Sequence, residues 1–335
     1  MSSFALVLLL FTALLLLSGC YSVSTKLDND RTADRRLAYS AASRPFAMMC
    51  ALVYEPDPAP EKLKAESKAK RAHDLRAVFE GELSHSGWVR RQPPLGRQLP
   101  SARATAAGMA YDIWINAELK PKVVAIAFRG TEAGDWRDWW SNLWWLTRFL
   151  PGDNQYAACE HEFDGVFAEF ADELKAGETV FITTGHSLGG GLAQCLRYLW
   201  PLDVRQCYAF DPSPATARSA RSETSKRDFD CLPPVDGFPG ALTMRLYEKG
   251  EILAYVRAQL RIFYPISGQI NEVRFDFRSG INPFSQHNMA LLAQSIDASA
   301  KEIPSKVRHP DHLPAPWWDR RRTIEKAAIN PTSAR

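Results

Sequence analysis

The segment around Ser187 constrains the fold of this chain most strongly, because it places a glycine-rich turn between two contrasting segments. Residues 179–184 read Thr-Val-Phe-Ile-Thr-Thr, which is typical of a buried β-strand. Residues 185–190 read Gly-His-Ser-Leu-Gly-Gly, and a helical pattern follows from Leu188 to about Trp200. Side chains at Gly185 or Gly189 would collide with the adjoining strand or helix, so glycine permits a sharp turn there. The pattern predicts a strand that turns directly into a helix at Ser187.

The remaining chain alternates between strand-like and helix-like patterns. Strand patterns occur at residues 109–115, 123–128, 206–210, 242–247 and 273–277. Helical patterns occur at residues 46–54, 62–76, 165–174 and 289–293. This alternation predicts the α/β class, with a mostly parallel central sheet flanked by helices. The charged segment 62–76 is interpreted as a solvated helix face, with a membrane-surface contact as the alternative.

Composition excludes several classes of protein. The 335 residues are 46% hydrophobic and 24% charged, which excludes a disordered or fibrous chain. The 41 Lys and Arg residues nearly balance the 38 Asp and Glu residues. A dedicated nucleic-acid binder needs a strong positive field, so we expect no nucleic-acid partner.

The N-terminus carries no charged side chain before Lys26. The apolar run at residues 4–17 is shorter than the roughly 20 residues that a membrane-spanning helix needs. It ends at Leu17-Ser18-Gly19-Cys20, which resembles a bacterial lipobox. This resemblance implies a signal peptide at 1–19 and a lipid anchor on Cys20, with a plain signal peptide or a short anchor as the alternative. Because Tyr21 stands where an inner-membrane retention signal has Asp, we expect an exported lipoprotein of the outer membrane, on the periplasmic or surface side.

These patterns divide the chain into four parts. Residues 20–45 are polar and lack apolar periodicity, which favours a tether between membrane and domain. Residues 46–300 form the predicted globular domain, and residues 301–335, rich in Pro and Arg, form a peripheral tail. Five cysteines remain after Cys20, so they cannot all pair. Cys207 and Cys231 flank a loop region. A disulfide between them and buried free thiols are the two alternatives.

Ser187 is a candidate nucleophile, and a serine needs a histidine base that is oriented by a carboxylate. In a strand–serine–helix topology the chain order is serine, acid, histidine. His287 is the best base, because it follows a late strand and precedes the apolar helix at 289–293. Glu251 is the preferred acid, since it lies in a turn directly after the strand at 242–247. Asp211, which closes the preceding strand, and Glu248 are the alternatives.

An oxyanion hole needs donors aimed at the developing negative charge. Leu188 directly follows the serine and offers one backbone N–H. The strand at 123–128 runs into Arg129-Gly130-Thr131, where Thr131 could supply a second N–H and its hydroxyl. His and Cys show no clustered ligand spacing, so the sequence predicts neither a metal site nor a cofactor.

Four elements together resemble the class 3 lipase family, the fungal-lipase-like branch of the α/β-hydrolases. They are Ala-Ile-Ala-Phe-Arg-Gly-Thr at 125–131, the motif at 185–190, the segment around Tyr247, Glu251 and Ile252, and His287. The resemblance covers roughly residues 46–296. It implies an α/β-hydrolase fold and hydrolysis of lipid esters without a metal or organic cofactor. It also implies Ser187 as nucleophile, Glu251 as acid, His287 as base and Thr131 in the oxyanion hole.

The segment 135–146 holds five of the ten Trp residues. Positions 136, 140 and 144 share one helical face and positions 139, 143 and 146 another, so the segment is apolar on two sides. The Trp-rich segment 136–145 therefore has two interpretations. It forms a lid or lines the acyl site, or it packs as ordinary core.

These observations lead to one functional prediction. We expect a lipid-anchored serine ester hydrolase, similar to a triacylglycerol lipase or phospholipase A1, that acts through an acyl-enzyme. Neutral glycerides, phospholipids and short soluble esters all remain open as substrates. The alternatives are a non-catalytic lipoprotein that uses the fold as a binding scaffold, and a peptidase, thioesterase or soluble-ester esterase on the same fold.

Overall fold

The fold is seen in a computed structural model of the chain. The structure describes residues 27–29, 33–54, 67–92, 108–130, 155–213, 216, 243–259, 270–278 and 286–302. The strands are β1 (Leu27–Asn29), β2 (Val89–Arg90), β3 (Tyr111–Asn116), β4 (Lys122–Phe128), β5 (Thr179–His186), β6 (Val204–Phe210), β7 (Thr243–Glu248) and β8 (Ile270–Phe275). The helices are α1 (Ala33–Leu52), α2 (Ser67–His85), α3 (Gln155–Ala168), α4 (Ala171–Lys175), α5 (Leu188–Leu199), α6 (Ile252–Gln259) and α7 (Met289–Ala300).

One eight-stranded sheet organises these elements, in the order β1-β8-β7-β6-β5-β4-β3-β2. The first six strands of this order, which end with β4, are parallel to their neighbours. At the other edge, β3 is antiparallel to β4 and β2 is antiparallel to β3. The carboxyl ends of β5, β6, β7 and β8 therefore lie along one edge of the sheet. Each is followed by a segment that carries a predicted site residue or its alternative.

The sheet is covered by helices on both faces, as its alternating side chains require. Along β4, Val123, Ala125 and Ala127 pack with α1, α2 and α7 in one core cluster. Val124, Ile126 and Phe128 pack with α3 and α5 in the other. Both faces of β4 are buried, which explains its nearly unbroken apolar sequence. The sheet order, the two helical layers and the strand–turn–helix unit at Ser187 confirm the predicted α/β-hydrolase fold.

The predicted strands are present, with ends that shift by up to three residues. The single helix predicted at 165–174 is wrong, because α3 ends at Ala168 and the separate α4 begins at Ala171. The break places the buried ring of Phe170 against Phe181, with 5.3 Å between ring centroids. Packing against the sheet therefore decides where this helix ends, and helical periodicity alone does not show it.

The structure also differs from the tether predicted for residues 20–45. Residues 33–45 belong to α1, and β1 pairs with β8 in parallel. Two arginines of α1 within this range form ion pairs, since Arg36 binds Glu302 at 2.9 Å and Arg44 binds Asp297 at 2.7 Å. Charged residues that looked like a solvated linker thus attach α1 to α7 and to the residues directly after it.

Several predictions fall outside the described residues. They concern the apolar run at 4–17, Cys20, Thr131, the Trp-rich segment 136–145, Cys231 and the chain after residue 302. In the part of the chain that the structure describes, no helix is both long and apolar enough to cross a membrane. Cys207 is a buried free thiol, as are Cys50 and Cys195, so the disulfide alternative for Cys207 is not formed.

Candidate active site

Ser187 lies in a strained turn between β5 and α5. Its backbone has φ 56° and ψ −124°, a positive-φ conformation that a residue with a Cβ rarely adopts. Such a conformation costs about 1–3 kcal/mol and persists only where the surroundings enforce it. Here Ser187 N–H donates to Phe210 O at 3.0 Å, and Ser187 O accepts from Ser213 N–H at 2.9 Å. The sharp turn predicted at Ser187 is therefore confirmed.

The flanking glycines are required by close backbone approach. A Cβ at Gly185 would come within 3.0 Å of the Gly189 backbone, and a Cβ at Gly189 within 3.0 Å of the backbone of Phe128 and Arg129. Real Cβ atoms essentially never approach so closely. The glycines thus allow β5, α5 and the end of β4 to meet around Ser187.

His287 lies just before α7 and faces Glu251. Its Nδ1 atom is 3.1 Å from Glu251 Oε2. The next residue, Asn288, caps α7 by accepting the Leu291 N–H at 3.0 Å, which fixes the turn that carries the imidazole. The structure therefore brings the predicted base and the predicted acid into direct contact.

Glu251 is fully buried and is held by three donors in the described structure. Oε2 accepts the Leu253 N–H at 2.7 Å and faces His287 Nδ1, and Oε1 accepts from the guanidinium of Arg257. Burial by itself raises the pKa of Glu251. The charge of Arg257, the contact with His287 and the Leu253 N–H together outweigh it and hold that pKa below its usual value. Glu251 is therefore ionised at neutral pH.

The two alternative acids face other partners. Asp211 Oδ1 accepts the Glu248 N–H at 3.0 Å, while Oδ2 lies 3.8 Å from His186 Nε2. Burial, followed by the negative charge of Glu251, raises the pKa of Asp211 well above its usual value. Glu248 Oε1 accepts the N–H groups of Phe277 at 3.0 Å and Arg278 at 3.1 Å. Of the three candidates, only Glu251 is bonded to His287.

The structure does not join Ser187 to His287 by a hydrogen bond. His287 Nε2 is buried and has no hydrogen-bond partner in the described residues, so the Ser187 hydroxyl lies beyond bonding distance or is misaligned. Such bonds often become shorter only when substrate binds. His287 instead packs on His186, with ring centroids 4.6 Å apart and planes tilted by 37°.

Tyr54 is a site residue that sequence reasoning missed. Its hydroxyl accepts the Gly130 N–H at 2.9 Å and lies 2.9 Å from His186 Nδ1. Gly130 lies against Ser187, because a Cβ added at Gly130 would be 3.2 Å from the Ser187 Cβ. Tyr54 thus holds the backbone just before Thr131, the predicted oxyanion residue. It follows α1, far from every motif in the sequence, so no spacing signal marks it.

Leu188 is the first residue of α5. Its N–H is therefore one of the four at a helix start that have no acceptor within the helix. The positive end of the helix dipole is at the same place. Both features suit an anion next to Ser187.

The structure also groups three side chains that the sequence does not mark as a cluster. One ring nitrogen each of His186 and His287 and one carboxylate oxygen of Asp211 lie within 4.8 Å of one another. Sequence spacing gave no metal-ligand pattern, because these residues lie at or after the ends of three different strands. Burial, with the neighbouring His287 as a second cause, lowers the pKa of His186 well below its usual value, so its imidazole is neutral.

Comparison with known proteins gives only distant likenesses. No protein-family model matches the chain, and no curated protein sequence does. Carboxyl esterase 2 from the mycorrhizal fungus Tuber melanosporum is 13% identical with a TM-score of 0.32, over 64% of this chain and 86% of that one. TT1662 from Thermus thermophilus is 14% identical with a TM-score of 0.28, over 59% and 96% of the two chains. S-formylglutathione hydrolase from Staphylococcus aureus is 13% identical with a TM-score of 0.28, over 64% and 93%. At this level of similarity no functional property passes from these proteins to the chain.

Proposed function

We propose that the protein is a serine ester hydrolase of the class 3 lipase type, with Ser187 as nucleophile, His287 as base and Glu251 as acid. The observation that carries this proposal is the strained Ser187 turn at the sheet edge where His287 is bonded to a buried, ionised Glu251. Strain of this kind is retained where it exposes a reacting group.

In the proposed reaction, the Ser187 oxygen attacks the ester carbonyl carbon while His287 Nε2 takes the hydroxyl proton. The tetrahedral intermediate then expels the alcohol, which receives that proton from His287. Water attacks the acyl-enzyme with the same proton transfers, releases the carboxylic acid and restores Ser187. The His287 ring must close the remaining gap to the serine when the ester is bound.

The surroundings of His287 suit a base that becomes cationic during the reaction. Glu251 is ionised and accepts from Nδ1, so it fixes the tautomer with Nε2 available and then stabilises the imidazolium. The stacked His186 is neutral and adds no positive charge against that cation. Both neighbours therefore favour proton transfer to His287.

The oxyanion would be stabilised by the N–H of Leu188 and by Thr131. Leu188 offers an N–H at the start of α5, next to Ser187. Thr131 lies outside the described residues, but the preceding Gly130 is held against Ser187 by Tyr54. This support for the loop makes Thr131 our choice for the second donor.

The lipid-related parts of the proposal rest on the sequence. We propose that Cys20 is lipidated and anchors the enzyme to the outer membrane, and that long-chain glycerides or phospholipids are its substrates. The lipobox-like residues 17–20 and the Trp-rich segment 136–145 support these points. Mass spectrometry of the mature N-terminus tests the anchor, since a diacylglyceryl-modified Cys20 is expected and an unmodified N-terminus after another cleavage site would exclude it.

The catalytic proposal is tested with purified protein and p-nitrophenyl esters of increasing chain length, together with phosphatidylcholine. Ser187→Ala should abolish hydrolysis above background. Glu251→Gln should lower kcat by about 10³–10⁴-fold, because it no longer fixes the tautomer of His287. Asp211→Asn is the matched carboxylate control and should keep most of the wild-type activity. A wild-type protein as inert as Ser187→Ala on every ester would favour the binding-scaffold alternative.

A further inference from the structure

A cluster of three unpartnered ligand atoms includes the proposed catalytic base. His186 Nε2, Asp211 Oδ2 and His287 Nε2 are each buried without a hydrogen-bond partner in the described residues. Buried polar atoms of this kind are normally satisfied, so three of them together call for an explanation. One atom from each of the three residues lies within 4.8 Å of the others.

The opposite atom of each side chain is already held by a neighbour. His186 Nδ1 lies 2.9 Å from the Tyr54 hydroxyl, and His287 Nδ1 lies 3.1 Å from Glu251. Asp211 Oδ1 accepts the Glu248 N–H at 3.0 Å. Metal-binding histidines and carboxylates are typically fixed in this way by outer partners, which orient the remaining atom toward the ion. The cluster has therefore both the inner atoms and the outer support of a metal site.

We propose that this cluster binds a divalent transition-metal ion, with Zn²⁺ as the best match, and that the bound ion inhibits the enzyme. Two imidazoles and one carboxylate leave a fourth position open in a tetrahedral Zn²⁺ site. Ligand bonds of about 2.0–2.2 Å place the ligand atoms roughly 3.3 Å apart. Because the three atoms lie within 4.8 Å of one another, small side-chain shifts of at most about 1.5 Å bring them to that spacing. Mg²⁺ and Ca²⁺ require mostly oxygen ligands and should not bind here.

Inhibition follows from the identity of the third ligand. A metal on His287 Nε2 occupies the lone pair that would take the Ser187 proton, and the imidazole can no longer act as a base. This inhibitory effect depends on the proposed hydrolase function. Metal binding itself does not, because it needs only the three side chains.

Binding is tested first with Ser187→Ala, which retains all three ligands and lacks the nucleophile. Titration calorimetry with Zn²⁺ should give one site per chain in this variant and in the wild type. Asp211→Asn should weaken that site at least 100-fold, since loss of even an outer partner typically costs about 10–100-fold. His85→Gln removes an exposed imidazole on α2 and should leave the affinity unchanged. Equal Zn²⁺ affinity in the wild type and Asp211→Asn, or no binding by Ser187→Ala, overturns the proposal.

Inhibition is tested as the ratio of ester hydrolysis with and without saturating Zn²⁺ within each variant, so that changes in basal rate cancel. The wild type and His85→Gln should lose their activity in Zn²⁺ and regain it on chelation, and MgCl₂ should have no effect. Asp211→Asn should need at least 100-fold more Zn²⁺ for the same loss. Zn²⁺ that binds the wild type at Asp211 without slowing hydrolysis would overturn the inhibitory part. If no chain hydrolyses esters, the functional proposal fails while the calorimetric result stands by itself.

Discussion

Arg257 bonds the carboxylate of Glu251, the same carboxylate that faces His287 Nδ1. The guanidinium also donates to Pro212 O at 2.7 Å and stacks on the ring of Tyr247, 4.4 Å from its centroid. One buried cation therefore links the acid turn after β7 to the segment after β6, two residues beyond the strand that supports Ser187. This contact keeps the pKa of Glu251 low despite complete burial.

Replacing Arg257 should impair the acid without removing it. Arg257→Ala leaves the buried Glu251 charge without its cation, which destabilises a protein by about 3–5 kcal/mol. Arg257→Lys keeps a charge but lacks the planar guanidinium that both bonds the Glu251 carboxylate and stacks on the Tyr247 ring. In either variant the pKa of Glu251 should rise. The acidic limb of kcat plotted against pH should therefore move to higher pH. An Arg257→Lys enzyme with a lower rate but an unmoved acidic limb would show that Arg257 has only a structural role.

Tyr54→Phe tests the support of the oxyanion loop. The variant keeps the ring that packs on His186 and removes only the hydroxyl that accepts the Gly130 N–H. A misplaced catalytic group can cost up to about 100-fold, so we expect kcat to fall by about 10–100-fold with a smaller change in KM. Tyr39→Phe is the control, since this tyrosine lies near the start of α1, fifteen residues before Tyr54, and its hydroxyl accepts from the Asn271 side chain. Equal kcat in Tyr54→Phe and the wild type would exclude this positioning role.

The strained backbone at Ser187 predicts that the stability of inactive variants depends on the residue placed there. Ser187→Gly and Ser187→Ala both lack the nucleophile, but only glycine accepts φ 56° without a Cβ penalty. The glycine variant should therefore be more stable than the alanine variant by about 1 kcal/mol, after its greater unfolded-state entropy is counted. Urea denaturation followed by circular dichroism measures the difference. A less stable Ser187→Gly would contradict the strained conformation.

The bonds of Glu82 predict how the stability of the fold depends on pH in the acidic range. Bonds from Lys301 at 2.8 Å and from Arg44 at 2.6 Å lower the pKa of Glu82 from 4.5 to about 2, and they join α2 to α1 and α7. A folded-state pKa below the unfolded one means stability that is present above pH 4.5 and lost as pH falls toward 2. The thermal midpoint of Glu82→Gln should therefore be lower at neutral pH and fall less between pH 4.5 and 2.

The matched control for that measurement is Asp164→Asn, an exposed carboxylate on α3. Its thermal midpoint should follow the wild-type curve across the whole acidic range. If Glu82→Gln also follows the wild-type curve, the bonds of Glu82 with Arg44 and Lys301 do not contribute to the loss of stability in acid.

Local signals made the fold and part of the site predictable. The Ser187 turn depends on glycines within a few residues of the serine, and the apolar runs of β4 and β5 reflect burial on both faces. His287 and Glu251 could be chosen because parallel strands bring their carboxyl ends to one edge. Chain order and periodicity are enough to place these residues.

Long-range partners were not predictable. Tyr54, Arg257 and the contact of Asp211 with His186 depend on which side chains meet across different elements, and no spacing in the sequence records this. The polar segment 33–45 misled for the same reason, because Arg36 and Arg44 pair with acidic residues that are distant in sequence. Pattern reasoning finds elements and their order, whereas these contacts arise only when the layers pack.

The most direct test of the central claim is covalent labelling of the nucleophile. The protein is incubated with a long-chain alkyl fluorophosphonate, and the adduct is located by peptide mass spectrometry while its rate of formation is measured. We predict one adduct, on Ser187, with labelling slowed by about 10³-fold or more in His287→Ala and in Glu251→Gln, because the serine is then not activated. Labelling at another residue, or equal rates at Ser187 in the wild type and His287→Ala, would contradict the account.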